Sequence, residues 1–346
     1  MSPAPLVAPI ATRGSALARW QADHVAALLR DAAAVQRVAL ETEPVVVETQ
    51  GDRRLDVPLW ELGGKGVFVK EVQAAVLDGR ARLAVHSGKD LPAATPDGLV
   101  LAAVPERADP RDVLVGATLA GLGPGAVVAT GSVRRRVQLA DRRPDLTFAG
   151  LRGNIATRLD RIPDGGAIVM AAAALDRLGL LDELAARDLV HEVLDPSSMI
   201  PQVAQGALAV ECRADDDELL ALLALVDHEP SRRAVDAERA FLAELGGDCD
   251  LPAGAFAVAL DHPASGDGSS SHGDTRVTGT PGGAAGRAAG GAAAEGVGVS
   301  MTALLASLDG HVVLRARAGG DDPDALGRGL ARHLLDHAGG AALLDR

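Results

Sequence analysis

The chain has 346 residues, of which 47% are hydrophobic and 23% are charged, and its formal net charge at pH 7 is −13. This length exceeds what one hydrophobic core usually organises, so we expect two or three domains. The negative charge argues against a nucleic acid or an anionic membrane as a partner attracted by the overall field. A binding site for anions must therefore be a local cluster of arginine and lysine.

The first residues and the cysteines bear on the cellular compartment. The segment MSPAPLVAPI lacks the charged and apolar regions of a signal peptide, and the sequence has no apolar run long enough to span a bilayer. The two cysteines, Cys212 and Cys249, make no disulfide framework and lack a CxxC spacing. We therefore expect a cytoplasmic protein without a metal site.

Apolar segments alternate with helix-like segments over the first 210 residues. The predicted elements are a strand at 6–12, a helix at 15–30, a strand at 44–49, a helix at 66–80, and strands at 83–87, 126–130, 146–150 and 167–173. This alternation predicts an α/β architecture with mainly parallel sheets. In such sheets, ligands bind beyond the carboxyl ends of the strands.

Changes in composition divide the chain further. Two Pro- and Asp-rich segments, 104–112 and 194–202, separate the α/β blocks, and the apolar segment after the second could return to the first block. A small α+β domain is then predicted from a long helical tract after residue 214, strands at 255–260, 299–308 and 311–318, and a helix at 324–339. Segment 261–296 is rich in Gly, Ala and Ser, so we expect a disordered insertion.

Three predicted strand-to-helix junctions share a composition of small polar residues and arginines. They contain Arg13 to Ser15, Thr130 to Arg135, and Arg152 to Arg158. Free backbone N–H groups, hydroxyls and guanidiniums together make an anion site, and arginine suits carboxylates. Solvated surface arginines explain any single turn in this Arg-rich chain, but their recurrence favours binding. Neither a nucleotide P-loop nor a GxGxxG loop is present.

The segment LAVHSGKDLP places several polar residues at the end of a predicted strand. His86, Ser87, Lys89 and Asp90 crowd the carboxyl end of the strand at 83–87. Because that edge of an α/β sheet faces a cleft, we expect a functional site there, although an Asp-capped turn is an equally good reading of this stretch alone. An ionised Asp90 would suit stabilising a cation or moving protons at a heterocyclic nitrogen.

Weaker candidates remain open at this point. His333 and His337, four residues apart on the last helix, are better explained as an exposed helix face than as metal ligands. Cys212 lies in an apolar segment and indicates a small buried side chain. Cys249 stands between two aspartates, which disfavour a low-pKa nucleophile. A metal ligand, a nucleophile, a buried filler and an attachment point are all compatible with it.

Seven segments together resemble the porphobilinogen deaminase, or hydroxymethylbilane synthase, family, in its order and approximate spacing. They are ATRGSALARWQA, GGKGVFVKE, AVHSGKDLP, ERADPRDVLVG, RRPDL with LRGNIATRLDR, QGALAVECR and GGDCDLPAGAFA. The resemblance implies two α/β domains like those of type II periplasmic binding proteins and a small C-terminal α+β domain. The implied domains are 1–103 with 197–218, then 104–196, and finally 219–346.

The resemblance also implies an activity and a cofactor. The family joins porphobilinogen units head to tail, with release of ammonia, to form the linear tetrapyrrole hydroxymethylbilane. The product grows on a dipyrromethane cofactor that a thioether attaches to one cysteine, which here is Cys249. The implied partner is this small-molecule substrate alone, without nucleic acid or membrane, and the implied state is a monomer.

Residue roles follow from the resemblance position by position. Asp90 matches the catalytic aspartate, which contacts pyrrole nitrogens and stabilises the cation formed as ammonia leaves. The positions that match cofactor-binding residues, besides Cys249, are Ser87, Lys89, Thr130, Ser132, Arg134, Arg135, Arg158 and Gln205. Those that match substrate-binding residues are Arg13, Ser15, Gln21, Lys65, Phe68, Arg152 and Arg177. No metal ligand is implied.

The sequence departs from the family pattern at three positions. Gly88 stands where a bulkier residue is common, Gly131 where Ser is frequent, and Asp248 where Gly is usual. A non-catalytic two-domain protein that binds a small polycarboxylate is the alternative function, but it leaves Cys249 without a purpose. A metal-dependent enzyme that uses Asp248, Cys249, Asp250 and a histidine is a third reading.

Overall fold

The computed structural model describes residues 5–53, 66–246, 251–260 and 298–344. The strands are, in chain order, β1 (Leu6–Val7), β2 (Ile10–Arg13), β3 (Leu40–Glu41), β4 (Pro44–Val47), β5 (Leu83–Ser87), β6 (Leu99–Ala103), β7 (Asp112–Val115), β8 (Val127–Ala129), β9 (Thr147–Ala149), β10 (Ala167–Ala171), β11 (His191–Leu194), β12 (Leu208–Arg213), β13 (Ala253–Ala259), β14 (Val299–Ala306) and β15 (Val313–Gly320). The insertion predicted at 261–296 lies outside the described residues.

Helices alternate with these strands. They are α1 (Ala16–Val35), α2 (Gln50–Arg53), α3 (Lys70–Leu77), α4 (Val133–Arg142), α5 (Ile155–Leu159), α6 (Ala172–Arg177), α7 (Leu180–Ala186), α8 (Asp217–Leu223), α9 (Glu229–Glu244), α10 (Pro323–Arg332) and α11 (Ala341–Leu344). A short 3₁₀ turn covers Gly88–Asp90, and a π-helical turn, His333–His337, follows α10.

Two five-stranded sheets share one strand order. The first is β4-β2-β5-β12-β6 and the second is β9-β8-β10-β7-β11. Read in this direction, the strands at the same position in the two sheets correspond to each other. One strand in each sheet runs antiparallel to both of its neighbours. It is β12 in the first sheet and β7 in the second, and each is the first strand after the chain passes from one α/β unit to the other. The sheets are therefore mixed, which corrects the expectation of mainly parallel pairing.

The antiparallel strands bring their first residues to the edge where parallel strands end. Asp112, the first residue of β7, lies opposite Ala171 at the end of β10. Leu208, the first residue of β12, lies opposite Ser87 at the end of β5. Polar groups that begin an antiparallel strand therefore join those at the carboxyl ends of the parallel ones.

Helix α1 shows why the first sheet is covered on one face. Ser15 caps the helix by accepting a hydrogen bond from the Ala18 amide, and the apolar side chains recur at a spacing of three and four residues. That stripe packs on the sheet in one buried cluster, which includes Val25, Leu29, Ile10, Leu83, Val85, Leu208 and Val210. This 20-residue helix therefore packs against both β2 and β5.

The third sheet, β13-β14-β15, is antiparallel and packs against α9 and α10. Phe241 on α9 is fully buried between the sheet and the helices. The two helices approach closely because Gly327 has no side chain, since a Cβ there would lie 2.1 Å from the Ala237 carbonyl oxygen. In the sequence, the predicted insertion at 261–296 lies between β13 and β14 of this compact α+β unit.

A buried carboxylate fastens the third unit to the crossover segments. Glu238 on α9 accepts both terminal nitrogens of Arg107, at 2.7 and 3.1 Å, and is fully buried. It also accepts the backbone amides of Ala204, at 2.6 Å, and Ala257, at 2.8 Å. Four hydrogen bonds compensate its desolvation, so one side chain joins three parts of the chain.

The predicted fold class, two α/β units and a small α+β unit, is confirmed by these sheets. Strands β3, β6, β7, β11 and β12 were not predicted as strands, and the helical tract after 214 is two helices, α8 and α9, with Pro230 in the first turn of the second. The final predicted helix ends at Arg332 and continues as a π turn. The exact domain limits stay a prediction.

Candidate active site

The turn after β5 lies at the centre of the first sheet. Strand β5 is buried up to His86, and Gly88–Asp90 then turn out of the sheet with both Lys89 and Asp90 partly exposed. The Gly88 amide donates to the Ala207 carbonyl at 2.9 Å, and a Cβ at Gly88 would lie 3.0 Å from the Ala204 Cβ. Glycine therefore lets the turn pack directly against the returning crossover segment.

Lys89 sits among charges from both α/β units. Its Nζ lies 3.5 Å from Oε1 of Gln205. Desolvation lowers the pKa of Lys89 to about 8; the guanidiniums of Arg135 and Arg158 add to this, and the carboxylates of Asp90 and Asp112 oppose it. Burial is thus the main reason that the pKa of Lys89 is low, and charges from both α/β units modify it.

The turn after β2 places Arg13 beside the same sheet edge. Its guanidinium pairs with Asp52 through Nε and Nη2 and lies over the Phe68 ring, with Cζ 4.1 Å from the ring centroid. Although burial opposes it, hydrogen bonds from Arg13 and Thr49 lower the pKa of Asp52. Arg13 is therefore oriented by an ion pair and an aromatic face together.

Gln21 connects α1 to β5. Its Nε2 donates to Ser87 Oγ at 2.9 Å, and Gln21 itself is buried. Ser15, in the preceding turn, uses its hydroxyl to cap α1. The structure thus brings Ser15 and Gln21 to the predicted edge, in roles that already include local hydrogen bonds.

The turn before α4 contains the most buried arginines of the predicted site. Arg134 and Arg135 are 3% and 7% exposed, and both pair with the fully buried Asp112, at 2.8 and 2.7 Å. Gln205 Nε2 donates to the same carboxylate at 2.9 Å. Burial alone would raise the pKa of Asp112, but these partners lower it to about 2.

Hydroxyl groups and a glycine shape this turn. Ser132 caps α4, and Thr130 Oγ1 accepts the Ser132 amide at 3.1 Å. A Cβ at Gly131 would lie 2.8 Å from the Leu151 carbonyl oxygen, so glycine lets this turn touch the next arginine-rich one. The turns before α4 and α5 are therefore neighbours.

The turn before α5 carries two arginines in a different setting. Arg158 Nε donates to the Gly153 carbonyl at 2.8 Å, and Arg152 Nη1 is buried without a hydrogen-bond partner among the described residues. Within that same part of the chain, neither guanidinium forms an ion pair. Desolvation and the Arg135 charge lower the pKa of Arg158, while the Asp90 carboxylate opposes them.

Arg177 approaches from the end of α6. It is 8% exposed, its Nη2 donates to the Gly206 carbonyl at 2.6 Å, and its Cζ lies 5.6 Å from the Trp20 ring centroid. Desolvation lowers its pKa to about 10. The site consequently combines buried or half-buried cations with Asp90, whose partly exposed side chain lies close enough to Lys89 and Arg158 to affect their pKa values.

Comparison with known proteins identifies the family. The family model described as "Porphobilinogen deaminase, dipyromethane cofactor binding domain" matches residues 8–221. The chain belongs to the porphobilinogen deaminase family. The family, the enzyme class, the place in tetrapyrrole biosynthesis and the dipyrromethane cofactor are therefore confirmed predictions.

Relatives named porphobilinogen deaminase align along most of their length. The one from Chromobacterium violaceum is 44% identical over 94% of this chain and 94% of its own. That from Roseiflexus castenholzii is 42% identical over 97% of each chain, and that from Nitratidesulfovibrio vulgaris strain Miyazaki F is 49% identical over 72% of this chain and 77% of its own.

Among solved structures, the GluR0 ligand-binding core from Nostoc punctiforme covers 63% of this chain and 91% of its own. The TM-score is 0.33 at 13% identity, so no argument about this porphobilinogen deaminase family member rests on that likeness.

The residues present fit the polycarboxylate cofactor of the porphobilinogen deaminase family. Lys89, Arg158 and Arg177 all have pKa values lowered by desolvation, and Arg152 has a buried N–H group without a described partner. Carboxylates placed among these cations would offset that desolvation and accept the missing hydrogen bond. Desolvation also lowers the pKa of Arg134, but Arg134 and Arg135 share the buried carboxylate of Asp112.

Two predicted site residues, Lys65 and Cys249, lie outside the described residues. Leu251, two positions after Cys249, lines a crevice together with Lys89, Ser132 and Arg134. The described part of the chain holds no group of three His, Cys, Asp or Glu side chains suited to a metal ion. The metal-enzyme reading depends on residues 248–250, which the description does not include.

Sequence reasoning missed Asp112 and Trp20. Asp112 begins an antiparallel strand, whereas the sequence argument considered only the ends of parallel strands. Trp20 stands one position before Gln21 in a quoted motif, and its large ring in a helix that faces a cleft was the available signal. The description includes no helix that is both long enough and apolar enough to cross a membrane.

Proposed function

We propose that this protein joins porphobilinogen units head to tail, releasing ammonia at each addition, to give hydroxymethylbilane. The observation that carries this proposal is a set of desolvated cations arranged around one carboxylate, Asp90. A substrate with two carboxylates on each pyrrole ring suits the cations, and a reaction that develops positive charge suits Asp90. When bound, dipyrromethane would supply the pyrrole carbon that the first unit joins, and each later unit would join the unit before it.

Asp90 is the proposed catalytic residue. Its position at the end of a central strand fixes it between the two α/β units, close enough to Arg158 and Lys89 to alter their pKa values. An ionised carboxylate there accepts pyrrole N–H hydrogen bonds and stabilises the positive charge that develops as ammonia leaves.

The surrounding groups are proposed to bind carboxylates. Arg152 and Arg158 have guanidinium donors that described carboxylates leave unused, so they are the strongest candidates for acetate and propionate groups. Lys89 adds a point charge, and Ser87 and Thr130 add hydroxyls. The full proposed set for the cofactor and substrate keeps Arg13, Ser15, Gln21, Lys65, Phe68, Ser132, Arg134, Arg135, Arg177 and Gln205.

Cys249 is proposed as the attachment point of the cofactor. Its flanking aspartates disfavour a thiolate that turns over in every cycle, but they do not prevent one alkylation that leaves a stable thioether. Cys212 is a matched contrast, because it is fully buried and desolvation raises the pKa of its thiol to about 12. Only one of the two cysteines is thus suited to carry a group.

Intact-mass spectrometry tests the attachment. The purified protein should carry the added mass of two linked pyrrole units, which Cys249→Ala removes and Cys212→Ala retains. Both variants lack one thiol, so the comparison separates attachment from general loss of a cysteine. An unmodified mass in protein that binds porphobilinogen would contradict the proposal.

Asp90→Asn tests the chemical role. It should keep the adduct but lower kcat by at least a hundredfold, whereas Asp97→Asn at an exposed position should leave kcat unchanged. If Asp90→Asn stayed within about tenfold, a barrier change of ~1.4 kcal/mol, Asp90 would lose its central role. Ammonia release coupled to tetrapyrrole formation also distinguishes this function from a non-catalytic binding protein.

We further infer a cytoplasmic monomer without a nucleic-acid partner. The net charge of −13 supports the last point, and the family resemblance supports the first two. Light scattering of the purified protein tests the monomer, and cell fractionation tests the compartment. A stable dimer in solution would overturn the inference that the protein is a monomer.

A further inference from the structure

A contact between Trp20 and Arg177 crosses the boundary between the two α/β units. Trp20 lies on α1 beside the first sheet, and Arg177 is the last residue of α6 beside the second. The guanidinium carbon lies 5.6 Å from the indole centroid, within the range of a cation–π interaction. Arginine is often held over an aromatic face because its planar group stacks well.

Arg177 has little else to hold its charge. It is 8% exposed, and its described hydrogen bond goes from Nη2 to the Gly206 carbonyl. Among the described residues it makes no ion pair, and desolvation lowers its pKa to about 10. A buried guanidinium normally requires several partners, so the indole face is a large part of what keeps Arg177 in place.

Trp20 is itself held in position. Its ring stacks on His24, one helical turn later, with centroids 4.9 Å apart and planes 11° from parallel. The next residue, Gln21, donates to Ser87 at 2.9 Å on β5. One turn of α1 therefore connects Arg177 on one side with the strand that leads to Asp90 on the other.

We propose that Trp20 is a positioning residue for Arg177. The indole face and the Gly206 carbonyl fix the guanidinium so that its remaining N–H groups point to a pyrrole carboxylate in the cleft. This inference rests on the proposed function, because it requires Arg177 to bind substrate. Trp20 acts through Arg177 and does not itself touch the reacting atoms.

The test is a substitution series on the enzyme that carries its adduct, as checked by intact mass. Trp20→Leu should raise KM for porphobilinogen about three- to tenfold while kcat stays within about twofold, because a bound carboxylate loses a prepositioned partner. Trp20→Phe, which keeps an aromatic face, should restore most of the affinity. If Trp20→Phe raised KM as much as Trp20→Leu does, the proposal would be overturned.

Two further variants separate the possible failures. Leu29→Ala removes a fully buried side chain of the same helix, so it should lower Tm without changing KM. Arg177→Leu should raise KM, and Trp20→Leu should then add nothing to it. If Arg177→Leu leaves KM unchanged, the proposed role of Arg177 fails. If Arg177→Leu raises KM and Trp20→Leu does not, then only the proposed positioning role of Trp20 fails.

Discussion

The turns that begin α4 and α5 look alike in sequence but differ in how their arginines are balanced. Both follow a strand of the second sheet, both begin with a side-chain cap, and both place arginines within one turn. Arg134 and Arg135 share the buried Asp112. Arg152 and Arg158 have no such carboxylate in the described part of the chain.

The difference divides these arginines into those that contact a buried carboxylate, on α4, and those at α5 that contact none among the described residues. The pair on α4 binds Asp112 and the carbonyls of Ile200 and Val169, although Arg134 Nε has no hydrogen-bond partner among the described residues. At α5, Arg152 Nη1 has no hydrogen-bond partner among the described residues, and neither arginine forms an ion pair there. Composition alone describes both turns as anion sites, whereas only the first contacts a buried carboxylate in the described part of the chain.

Removing Asp112 should have the largest effect on this comparison. Asp112→Ala leaves two buried guanidiniums without their shared carboxylate, and we expect a loss of about 3–5 kcal/mol in the free energy of unfolding. Urea denaturation of the variant and the parent protein measures it, and binding of the cofactor should suffer as a consequence.

Asp109→Ala is the matched control for Asp112→Ala. Asp109 also pairs with an arginine, Arg111, in the same segment, but that pair is solvent-exposed, so its loss should cost about 0–1 kcal/mol. Similar losses in the two variants would show that burial does not distinguish them, and the structural role of Asp112 would have to be abandoned.

Arg158→Leu should have the opposite profile. Because Arg158 forms no ion pair with a carboxylate among the described residues, the free energy of unfolding should change by less than about 1 kcal/mol. The value of kcat/KM should fall by about 10- to 100-fold, as expected when one charged hydrogen-bond donor to a carboxylate is removed. Steady-state kinetics and urea denaturation of the same preparation measure both quantities.

Arg136→Leu controls for the loss of an arginine near the cleft. Arg136 donates to the Leu308 carbonyl in the third unit, so its removal should leave kcat/KM near the parent value. A large loss of stability in Arg158→Leu would instead group Arg158 with Arg134 and Arg135.

The local parts of the site could be predicted from the sequence. Strand β5 and the turn with Lys89 and Asp90 were correctly placed, because a short apolar run followed by polar residues depends only on neighbouring positions. The two α/β units also followed from alternation. Family resemblance supplied the roles, which spacing alone did not give.

The non-local parts could not be predicted from the sequence. The role of Asp112 depends on β7 running antiparallel to β10, and nothing within residues 112–115 specifies that direction. The Trp20–Arg177 contact joins two units far apart in sequence. In both cases the partner is chosen by topology, so a list of arginines cannot show which are already balanced.

The pKa of Lys89 offers a smaller and more direct measure of burial in the candidate site. Desolvation holds its pKa near 8, so more of the neutral, reactive amine is present at pH 8 than in an ordinary lysine. In Cys249→Ser protein, acetylation of Lys89 followed by mass spectrometry should therefore have a midpoint near pH 8. Protein that carries the adduct should show a higher midpoint, since nearby carboxylates favour the ammonium form.

Lys70 serves as the internal reference for that labelling, because it is exposed at the start of α3. Its labelling should be the same with and without the adduct at every pH. An identical Lys89 midpoint in the two proteins would mean that the bound group brings no carboxylate near Lys89.

The helix caps give the smallest expected effect and test how each turn is held. Asn154 Oδ1 accepts both the amide and the hydroxyl of Thr157 at 2.9 Å, whereas Ser132 Oγ accepts the Arg135 amide at 3.5 Å. Asn154→Ala should therefore cost about 1 kcal/mol, and Ser132→Ala about 0.5 kcal/mol, in urea denaturation. The short α5 depends on its own cap, while Asp112 holds α4 in place from a different strand. A greater loss from Ser132→Ala would mean that the first turn also relies on local bonds, and the contrast between the two turns would then lie in charge alone.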